Sequence, residues 1–304
     1  MPSLSAVVPA TNGPASLERC TEAIEAALRP EDELVVVHGP AGAGPAEARN
    51  AGARRAHGDV LVFVDADVVV HPDALERIRA AFDTDPELDA VFGSYDDEPG
   101  DPGVVSGFRN LLHHHVHQNG AGPASTFWAG LGAVRRDVFE AAGGFDAARY
   151  PQPSIEDIEL GMRLGAAGAR LRLDPGVQGT HLKPWTLTSM VRTDFASRGL
   201  PWVALLLRTE SGSTALNLGW RHRLSALACL GIVAAIVTRR PALSAVGMVA
   251  FVSLNASLYR LLLRRRGPAA AATGVLLHAV HHLVGAAAVP AGAAMYLRER
   301  TRLR

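Results

Sequence analysis

The sequence predicts an α/β domain followed by C-terminal transmembrane α-helices. In the first half of the chain, short apolar runs alternate with segments of helical periodicity, which is typical of a sheet covered by helices. From Ser211 to Arg298 the chain contains no Asp or Glu, although the whole sequence has 30 of them. Carboxylates are costly in a bilayer, so this stretch indicates a membrane region.

The alternation in the first half predicts a parallel sheet with helices on both faces. In such sheets, ligands bind beyond the carboxyl ends of the strands. Pro9, His38 and Asp65 follow three different apolar runs and are therefore expected at this edge. The predicted strands are Leu4–Val8, Glu33–Val37, Val60–Val64 and Ala90–Gly93, and the predicted helices are Leu17–Leu28, Ala46–Ala56 and Pro72–Phe82.

The next part of the chain alternates less regularly. Acidic, Pro and Gly residues from Asp96 to Gly103 indicate a loop. Gly168 marks the end of a helix, because Gly favours the position just after a helical C-terminus. The predicted helices here are Gly107–Gln118, Arg136–Ala142 and Glu156–Ala167, with an apolar segment at Phe127–Val134 and a short strand at Leu171–Leu173.

Three apolar segments in the C-terminal third predict two or three transmembrane helices. Pro241–Leu263 has 23 residues, enough to cross a bilayer core of about 30 Å. Gly267–Leu297 is longer, whereas Leu224–Thr238 has only 15 residues and is marginal for a crossing. Positive charge follows every segment, so the distribution of Arg residues does not fix the topology.

These patterns predict a large domain over residues 1–210 and a membrane region over residues 211–304. The N-terminus shows no signal peptide, since the apolar run Ser5–Val8 is too short and a turn follows at Thr11–Pro14. The large domain is therefore expected on the cytoplasmic side of the cell membrane, as part of an integral membrane protein.

Two carboxylates after the third predicted strand indicate a metal site. Asp65 and Asp67 lie one residue apart on a turn at the sheet edge. Mg²⁺ and Mn²⁺ prefer oxygen ligands together with substrate phosphates, so this pair suits a cation that bridges the phosphates of a nucleotide sugar. Cys20 and Cys229 are the only cysteines, which excludes a disulfide framework and a zinc cluster.

Six short motifs occur in a characteristic order along the first two thirds of the chain. They are Val7-Val8-Pro9, Ala48-Arg49-Asn50, Phe63-Val64-Asp65-Ala66-Asp67, Gly143-Gly144-Phe145-Asp146, Glu156-Asp157, and His181 followed by Trp185. In these motifs, from Ser5 to about Trp202, the chain resembles the family 2 glycosyltransferases. The resemblance implies a GT-A (Rossmann-like) nucleotide-sugar-binding domain.

The resemblance further implies an inverting glycosyltransferase that uses a UDP or GDP sugar and Mn²⁺ or Mg²⁺. Asp157 would be the catalytic base with Glu156 beside it. Many family members have an acidic residue where this chain has His38, so the contact to the nucleobase differs. The implied metal ligands are Asp65, Asp67 and His181, the nucleotide-sugar-binding residues are Pro9, Thr11, His38, Arg49 and Asp65, and the acceptor or sugar pocket contains His117, Trp128, Gly130, Lys183 and Trp185.

Attachment to the bilayer favours a lipid or lipid-linked acceptor at the cytoplasmic face, and no nucleic-acid partner is expected. Trp185 and Trp202 precede the first apolar segment, so this stretch is expected where the active site meets the membrane. A hydroxyl acceptor needs a general base such as Asp157. A polyprenyl-phosphate sugar synthase needs none, because its acceptor phosphate is already ionised.

Two other classes remain as alternatives. A nucleotidyltransferase shares the strands, helices and acidic pair, but it usually carries a Gly-rich phosphate loop with a basic residue, which the segment from Pro9 to Gly13 does not provide. A non-catalytic membrane scaffold would not need to retain Asp65, Asp67, Asp157 and His181.

Some of the residues singled out also have purely structural interpretations. Acidic residues in a first helical turn, such as Glu156 and Asp157, complement the helix dipole. The His113–His117 run suits a polar helix near lipid headgroups, while His117 could instead line the sugar pocket. His278 and His282 share one helical face, where they either contact a lipid phosphate or pack between helices.

Overall fold

The computed structural model of this chain describes residues 1–40, 42–209 and 219–302, and it contains two compact units. The predicted boundary between residues 210 and 211 lies outside the described residues, so the division at that point stays a prediction. The first unit contains Met1–Asp101 and Val116–Lys183, and the second contains Pro102–His115 and Pro184–Arg304.

The first unit is built on one mixed sheet of eight strands, which confirms the predicted α/β class. The strand order is β2-β1-β3-β7-β5-β8-β4, and β6 pairs with β8. The strands are β1 (Leu4–Pro9), β2 (Glu33–Val37), β3 (Val60–Val64), β4 (Val68–Val70), β5 (Ala90–Tyr95), β6 (Gly122–Ala124), β7 (Leu131–Arg135) and β8 (Leu171–His181).

The sheet is parallel only in part, so the prediction of a parallel sheet is wrong for its second half. Strands β1, β2 and β3 are parallel, but β7 lies antiparallel between β3 and β5, and β4 is antiparallel to β8. The β1–β3 part follows the strand–helix–strand pattern that a parallel crossover requires, and in the second half only β5 and β8 pair in parallel. The pairing of β7 joins distant parts of the chain and leaves no local periodicity in the sequence.

Helices cover this sheet close to the predicted positions. The continuous apolar run of β3 is explained by its burial, since all five of its residues are buried. The helices of the first part of the chain are α1 (Leu17–Ala27), α2 (Pro45–Arg55), α3 (Ala74–Thr84), α4 (Val104–Asn119), α5 (Arg136–Ala141) and α6 (Glu156–Ala166).

Strand β8 is much longer than the three residues predicted from sequence. It continues from Leu171 to His181, past a Pro-Gly pair that suggests a turn. The ladder with β5 shifts register at this point: Phe92 pairs with Leu173, but Ser94 pairs with Gln178. This bulge accommodates the Pro-Gly pair without ending the strand. As a result, β8 reaches the sheet edge that carries the acidic turn.

The second unit is helical. A buried ion-pair network links its segments: Asp194 Oδ1 lies 2.9 Å from a guanidinium nitrogen of Arg109, and Asp194 Oδ2 lies 2.7 Å from Nδ1 of His281. Burial opposes ionisation of Asp194, but the two partners outweigh it and lower its pKa to about 2. The helices are α7 (Leu187–Arg192), a π-helix (Thr193–Gly199), α8 (Leu200–Thr209), α9 (Trp220–Val237), α10 (Pro241–Leu254) and α11 (Ala256–Arg302), which is kinked at Gly267.

Two described helices of this unit are long and apolar enough to cross a membrane: Trp220–Val237 with 18 residues and Ala256–Thr301 with 46 residues. Large apolar side chains point outward, including Leu227, which is 63% exposed, and Val249, which is 67% exposed. An outer surface of this kind suits lipid better than water.

The 23-residue run from Pro241 to Leu263, which the sequence predicts is long enough to cross a bilayer, is not one helix. Asn255 interrupts the run, and its amide nitrogen donates hydrogen bonds to Phe251 O and Ser225 Oγ, each at 2.9 Å. The helix before it, α10, has 14 residues. At a rise of about 1.5 Å per residue, such a helix is shorter than a bilayer core.

His278 and His282 lie inside the helical unit rather than on its surface. They are 3% and 1% exposed, and their ring centroids lie 4.4 Å apart. The Tyr259 hydroxyl lies 3.0 Å from Nδ1 of His278. These contacts favour the interpretation in which both histidines pack between helices.

Candidate active site

The acidic pair lies on the turn between β3 and β4. Backbone hydrogen bonds fix this turn: Asp65 N donates to Gly130 O at 3.0 Å, and Leu182 N donates to Asp67 O at 2.8 Å. About 30% of each carboxylate side chain is exposed, 32% for Asp65 and 27% for Asp67. The turn therefore presents two accessible carboxylates at the carboxyl end of β3, as the sequence predicts.

The structure brings His181 next to Asp67. Because Val68 pairs with His181 in the β4–β8 ladder, the imidazole lies beside the acidic turn, with Nε2 3.7 Å from Asp67 Oδ2. Burial alone would raise the pKa of Asp67, but His181 and the charge of Lys183 outweigh it and lower that pKa. The Asp67 carboxylate is therefore held ionised beside a nearly buried imidazole.

Arg49 joins two of the predicted acidic residues. Its guanidinium donates to Asp65 Oδ1 at 2.7 Å and to Glu156 Oε1 at 2.9 Å. The second oxygen of Glu156 accepts from Ser154 N at 2.9 Å. Both oxygens of Glu156 are therefore engaged within the protein. In its contact with Arg49, Asp65 uses Oδ1.

Two of the sequence motifs are bound directly to each other. The Asn50 side chain donates to Phe145 O at 2.8 Å and accepts from Phe145 N at 2.9 Å. This pair of bonds anchors the middle of helix α2 (Pro45–Arg55) to the Gly143–Asp146 turn. It also fixes Arg49, the residue that holds Asp65 and Glu156.

Asp157 has the environment of a general base. Its Oδ2 accepts a hydrogen bond from Ala129 N at 3.2 Å, and its Oδ1 accepts from Ile158 N at 2.8 Å. Burial and the neighbouring Glu156 charge raise its pKa to about 6, although Arg49 opposes this shift. A carboxylate with a pKa of this size is ionised at neutral pH and still accepts a proton more readily than an ordinary aspartate.

Aromatic side chains of the first unit meet beside these carboxylates. The Trp128 ring packs edge-on against Tyr95 at 4.9 Å and against His117 at 5.3 Å between centroids. A side chain at Gly130 would place its Cβ 2.4 Å from the Trp128 ring, so only glycine fits there. Of the predicted pocket residues, the structure therefore brings His117, Trp128 and Gly130 together.

Pro9 and His38 lie with Asp65 at the carboxyl ends of the neighbouring parallel strands β1, β2 and β3, as the sequence predicts. Pro9 ends β1, and the Thr11 hydroxyl donates to Ala43 O at 2.7 Å. His38 follows β2 and is exposed. Trp185 belongs to the second unit, where its backbone N donates to Ser106 Oγ at 2.8 Å. The place of Trp185 in the acceptor pocket stays a prediction. The donor contacts of Pro9, Thr11 and His38 also stay predictions.

Sequence reasoning missed two residues next to the metal-ligand candidates, Tyr95 and Asp96. Tyr95 stacks on the His181 ring, with centroids 4.2 Å apart and planes 11° from parallel. Asp96, which follows it, accepts hydrogen bonds from His71 and from the Thr180 hydroxyl. The signal for them in the sequence is that both residues closely follow the fourth predicted strand, Ala90–Gly93. Asp96 is also the first residue of the predicted loop.

The acidic turn suits a cation that is shared with a substrate. Among the described residues, no group of three or more His, Cys, Asp or Glu side chains is arranged to hold a metal ion without further ligands. Asp67 and His181 offer a carboxylate and an imidazole at one place. Mg²⁺ and Mn²⁺ are usually bound by one or two protein carboxylates completed by substrate phosphates and water, so these residues fit such an ion.

A family model from known proteins matches part of the first unit. Residues 31–143 match the sequence model described as glycosyl transferase family 2. The chain is 33% identical over 139 residues to the O-antigen biosynthesis protein RfbC of Myxococcus xanthus, which covers 40% of this chain and 11% of that protein. It is 27% identical over 202 residues to the pre-mycofactocin glycosyltransferase of Mycobacterium tuberculosis, which covers 62% of this chain and 38% of that protein. The chain thus spans less than half the length of these relatives.

A solved structure is similar over nearly the whole chain. It is the mannosyltransferase of Pyrobaculum calidifontis in complex with GDP-Man and Mn²⁺, with a TM-score of 0.55 and 18% identity. The likeness covers 97% of this chain and 87% of that protein. At this identity the likeness shows the fold. Together with the family match, it confirms the GT-A fold predicted from the motifs.

Proposed function

We infer that this chain is an inverting, metal-dependent glycosyltransferase, because residues 31–143 match the glycosyl transferase family 2 model and the first unit has the GT-A fold. We propose that it moves a sugar from a nucleotide-diphosphate sugar, of UDP or GDP, to a lipid or lipid-linked acceptor. The observation that carries the proposal is the Asp65–Asp67 turn, which places a carboxylate beside the His181 imidazole at the carboxyl end of β3.

The proposed donor site uses the acidic turn. Asp67 and His181 would hold Mn²⁺ or Mg²⁺, and the diphosphate oxygens would complete the site. When bound, the cation supplies positive charge that stabilises the departing nucleoside diphosphate. Asp65 would face the ribose and diphosphate with the oxygen that Arg49 leaves available. The neighbour in fold was solved with GDP-Man and Mn²⁺, which supports a donor and a cation of this kind.

The proposed chemical step uses Asp157. The acceptor hydroxyl oxygen attacks the anomeric carbon from the face opposite the diphosphate, while Asp157 takes the hydroxyl proton. A bond from the anomeric carbon to the acceptor oxygen forms as the bond to the β-phosphate oxygen breaks. A phosphate acceptor would not need this proton transfer. The raised pKa of Asp157 therefore supports a hydroxyl acceptor over a polyprenyl phosphate.

The pKa of Asp157 predicts how activity depends on pH. Since that pKa is about 6, above the ordinary value of 3.8, the base form dominates only above pH 6. We expect kcat/KM to be level above this pH and to fall about tenfold per pH unit well below it. The profile should be measured with saturating Mn²⁺ and with a check that the protein stays folded. A level profile down to pH 4.5 would contradict the role of Asp157 as the base.

The donor can be identified by binding before any acceptor is known. A panel of UDP and GDP sugars, each with Mn²⁺, should contain one donor that raises the Tm of the full-length protein by several degrees, because a ligand that binds only the folded state stabilises it. The shift should disappear with chelator. If every nucleotide sugar leaves the Tm unchanged, the proposed donor class is wrong.

The two long apolar helices support an integral membrane protein. We expect membranes from expressing cells to retain the full-length chain after washing with high salt and with alkaline carbonate. Apolar helices are held in the bilayer by their hydrophobic surface, and these washes disrupt only charge-dependent attachment. A peripheral protein in the same membranes should be released and serves as the control. Recovery of the chain in the carbonate supernatant would contradict the membrane assignment.

A further inference from the structure

A buried carboxylate next to the acidic turn has no part in the mechanism above. Asp96 follows β5 and is 5% exposed. Its Oδ2 accepts hydrogen bonds from His71 Nε2 at 3.0 Å and from the Thr180 hydroxyl, and its Oδ1 accepts from Glu98 N at 3.0 Å. A buried carboxylate is costly unless such bonds compensate it, so this network is a specific feature of the fold.

The partners of Asp96 come from the two strands that flank the proposed metal ligands. His71 follows β4, and β4 begins directly after Asp67. Thr180 lies in β8 and is the neighbour of His181. In the ladder between these strands, Val69 pairs with Thr180 and Val68 pairs with His181. Asp96 therefore ties together the strand that starts at Asp67 and the strand that ends at His181.

The residue before Asp96 contacts His181 itself. Tyr95 and Asp96 are neighbours in an extended segment, as are Thr180 and His181, so their side chains alternate between the faces of the sheet. On one face Tyr95 stacks on the His181 ring at 4.2 Å, and on the other face Asp96 binds Thr180. The backbone completes the arrangement, since Asp96 N donates to Gly179 O at 3.0 Å.

We propose that Asp96 is a positioning residue for the metal site. It fixes the β4–β8 ladder, and this ladder holds Asp67 and His181 where both can bind the same ion. The inference rests on the proposed function, because it takes Asp67 and His181 as the metal ligands. Residues that orient the metal ligands without binding the metal themselves typically contribute about 10-fold to 100-fold in metal affinity. Asp96 would act in this way through Thr180 and through the register of the ladder.

The test is Mn²⁺ binding by Asp96→Asn, measured on the full-length protein by water-proton relaxation enhancement, which detects Mn²⁺ bound to the protein. Asn keeps the size of the side chain but removes the negative charge and one of the two acceptor oxygens, so it cannot keep the bonds made by both Oδ1 and Oδ2 of Asp96. We expect the apparent dissociation constant for Mn²⁺ to rise on the order of 10-fold. Thr180→Val removes one donor to Asp96 and should shift binding in the same direction.

A matched control separates positioning from general stability. Asp59 also accepts two hydrogen bonds, from Ser3 N at 2.9 Å and Ser3 Oγ at 2.8 Å, but it lies just before β3, at the opposite end of the strand from the acidic turn. Asp59→Asn should lower the Tm without changing Mn²⁺ binding. In the double variant Asp96→Asn/Thr180→Val, the two effects on Mn²⁺ binding should not add, because both act through one contact.

The outcomes distinguish this inference from the proposed function. Wild-type Mn²⁺ affinity in a folded Asp96→Asn protein, while Asp67→Asn loses binding, would overturn the positioning role and leave the metal ligands in place. If Asp96→Asn does not fold, unchanged Mn²⁺ affinity in Thr180→Val overturns it equally. Absence of Mn²⁺ binding by the wild-type protein would instead show that the metal assignment itself is wrong.

Discussion

Replacing Asp67 by Asn is expected to abolish sugar transfer. Asp67 is the carboxylate that lies beside His181, and His181 and Lys183 keep its pKa low enough for it to be ionised at neutral pH. Asn removes the charge that attracts the cation, and the departing diphosphate then loses its main electrostatic stabilisation. We expect kcat/KM to fall by roughly 10³-fold or more, which corresponds to about 4 kcal/mol of transition-state stabilisation.

The measurement is the initial rate of transfer or donor hydrolysis at several Mn²⁺ concentrations. Asp83→Asn is the matched control, since Asp83 is an exposed carboxylate on α3 of the same unit. It should retain the wild-type rate. Excess Mn²⁺ should not restore Asp67→Asn. Activity of Asp67→Asn within a few-fold of wild type would exclude Asp67 as a metal ligand.

Replacing Asp157 by Asn is expected to lower kcat by about 10²-fold or more while donor affinity changes little. Asn retains the shape of the side chain but cannot take the proton of the acceptor hydroxyl. The stability of the folded protein, unlike its turnover, should not fall in Asp157→Asn. Since the folded-state pKa of about 6 exceeds the ordinary 3.8, stability is lost as the pH rises from 3.8 through 6, and the full cost of ionised Asp157 is present above pH 6. We therefore expect the Tm of Asp157→Asn at pH 7.5 to be equal to or above that of wild type.

Turnover and Tm of Asp157→Asn, measured together, distinguish a general base from a residue that only caps its helix. Asp137 is the control, because it also lies in the first turn of a helix, α5, and its Oδ1 accepts from the next backbone nitrogen, Val138 N, at 2.9 Å. Asp137→Asn should keep full activity and lose a little stability. If Asp157→Asn behaves like Asp137→Asn, with a lower Tm and near-normal turnover, Asp157 only supports its helix.

The local part of the fold was readable from sequence. Glu33–Val37 and Val60–Val64 are strands with the predicted bounds, because each apolar run is short, rich in β-branched residues and closed by turn residues. The Asp65–Asp67 turn follows from β3 in the same way. In these places the local pattern and the tertiary structure agree, so the sequence alone was sufficient.

The rest of the fold and of the candidate site depends on contacts between residues that are far apart in the sequence. The antiparallel insertion of β7 pairs Phe63 with Gly132, and no local pattern announces such a pairing. The bonds of Arg49 to both Asp65 and Glu156 join helix α2, the acidic turn and helix α6, which sequence spacing cannot reveal. The family resemblance implied that Arg49 binds the donor, whereas its guanidinium is occupied by two carboxylates of the protein.

In the predicted membrane region, composition predicted apolar helices but not the helix bounds. The hydropathy of the 23-residue run around Asn255 is continuous, yet the helix ends there because the Asn255 amide bonds to Phe251 O and Ser225 Oγ. A polar side chain that finds partners in a neighbouring helix can interrupt an apolar run without lowering its average hydropathy.

The most direct test of the central claim is release of a nucleoside diphosphate from a nucleotide sugar by the purified full-length protein in detergent or lipid. We predict that one UDP or GDP sugar is cleaved in the presence of Mn²⁺, that excess chelator stops the release, and that Mn²⁺ added back restores it. The account would be contradicted if no nucleotide sugar is cleaved under these conditions, or if cleavage continues at the full rate in excess chelator.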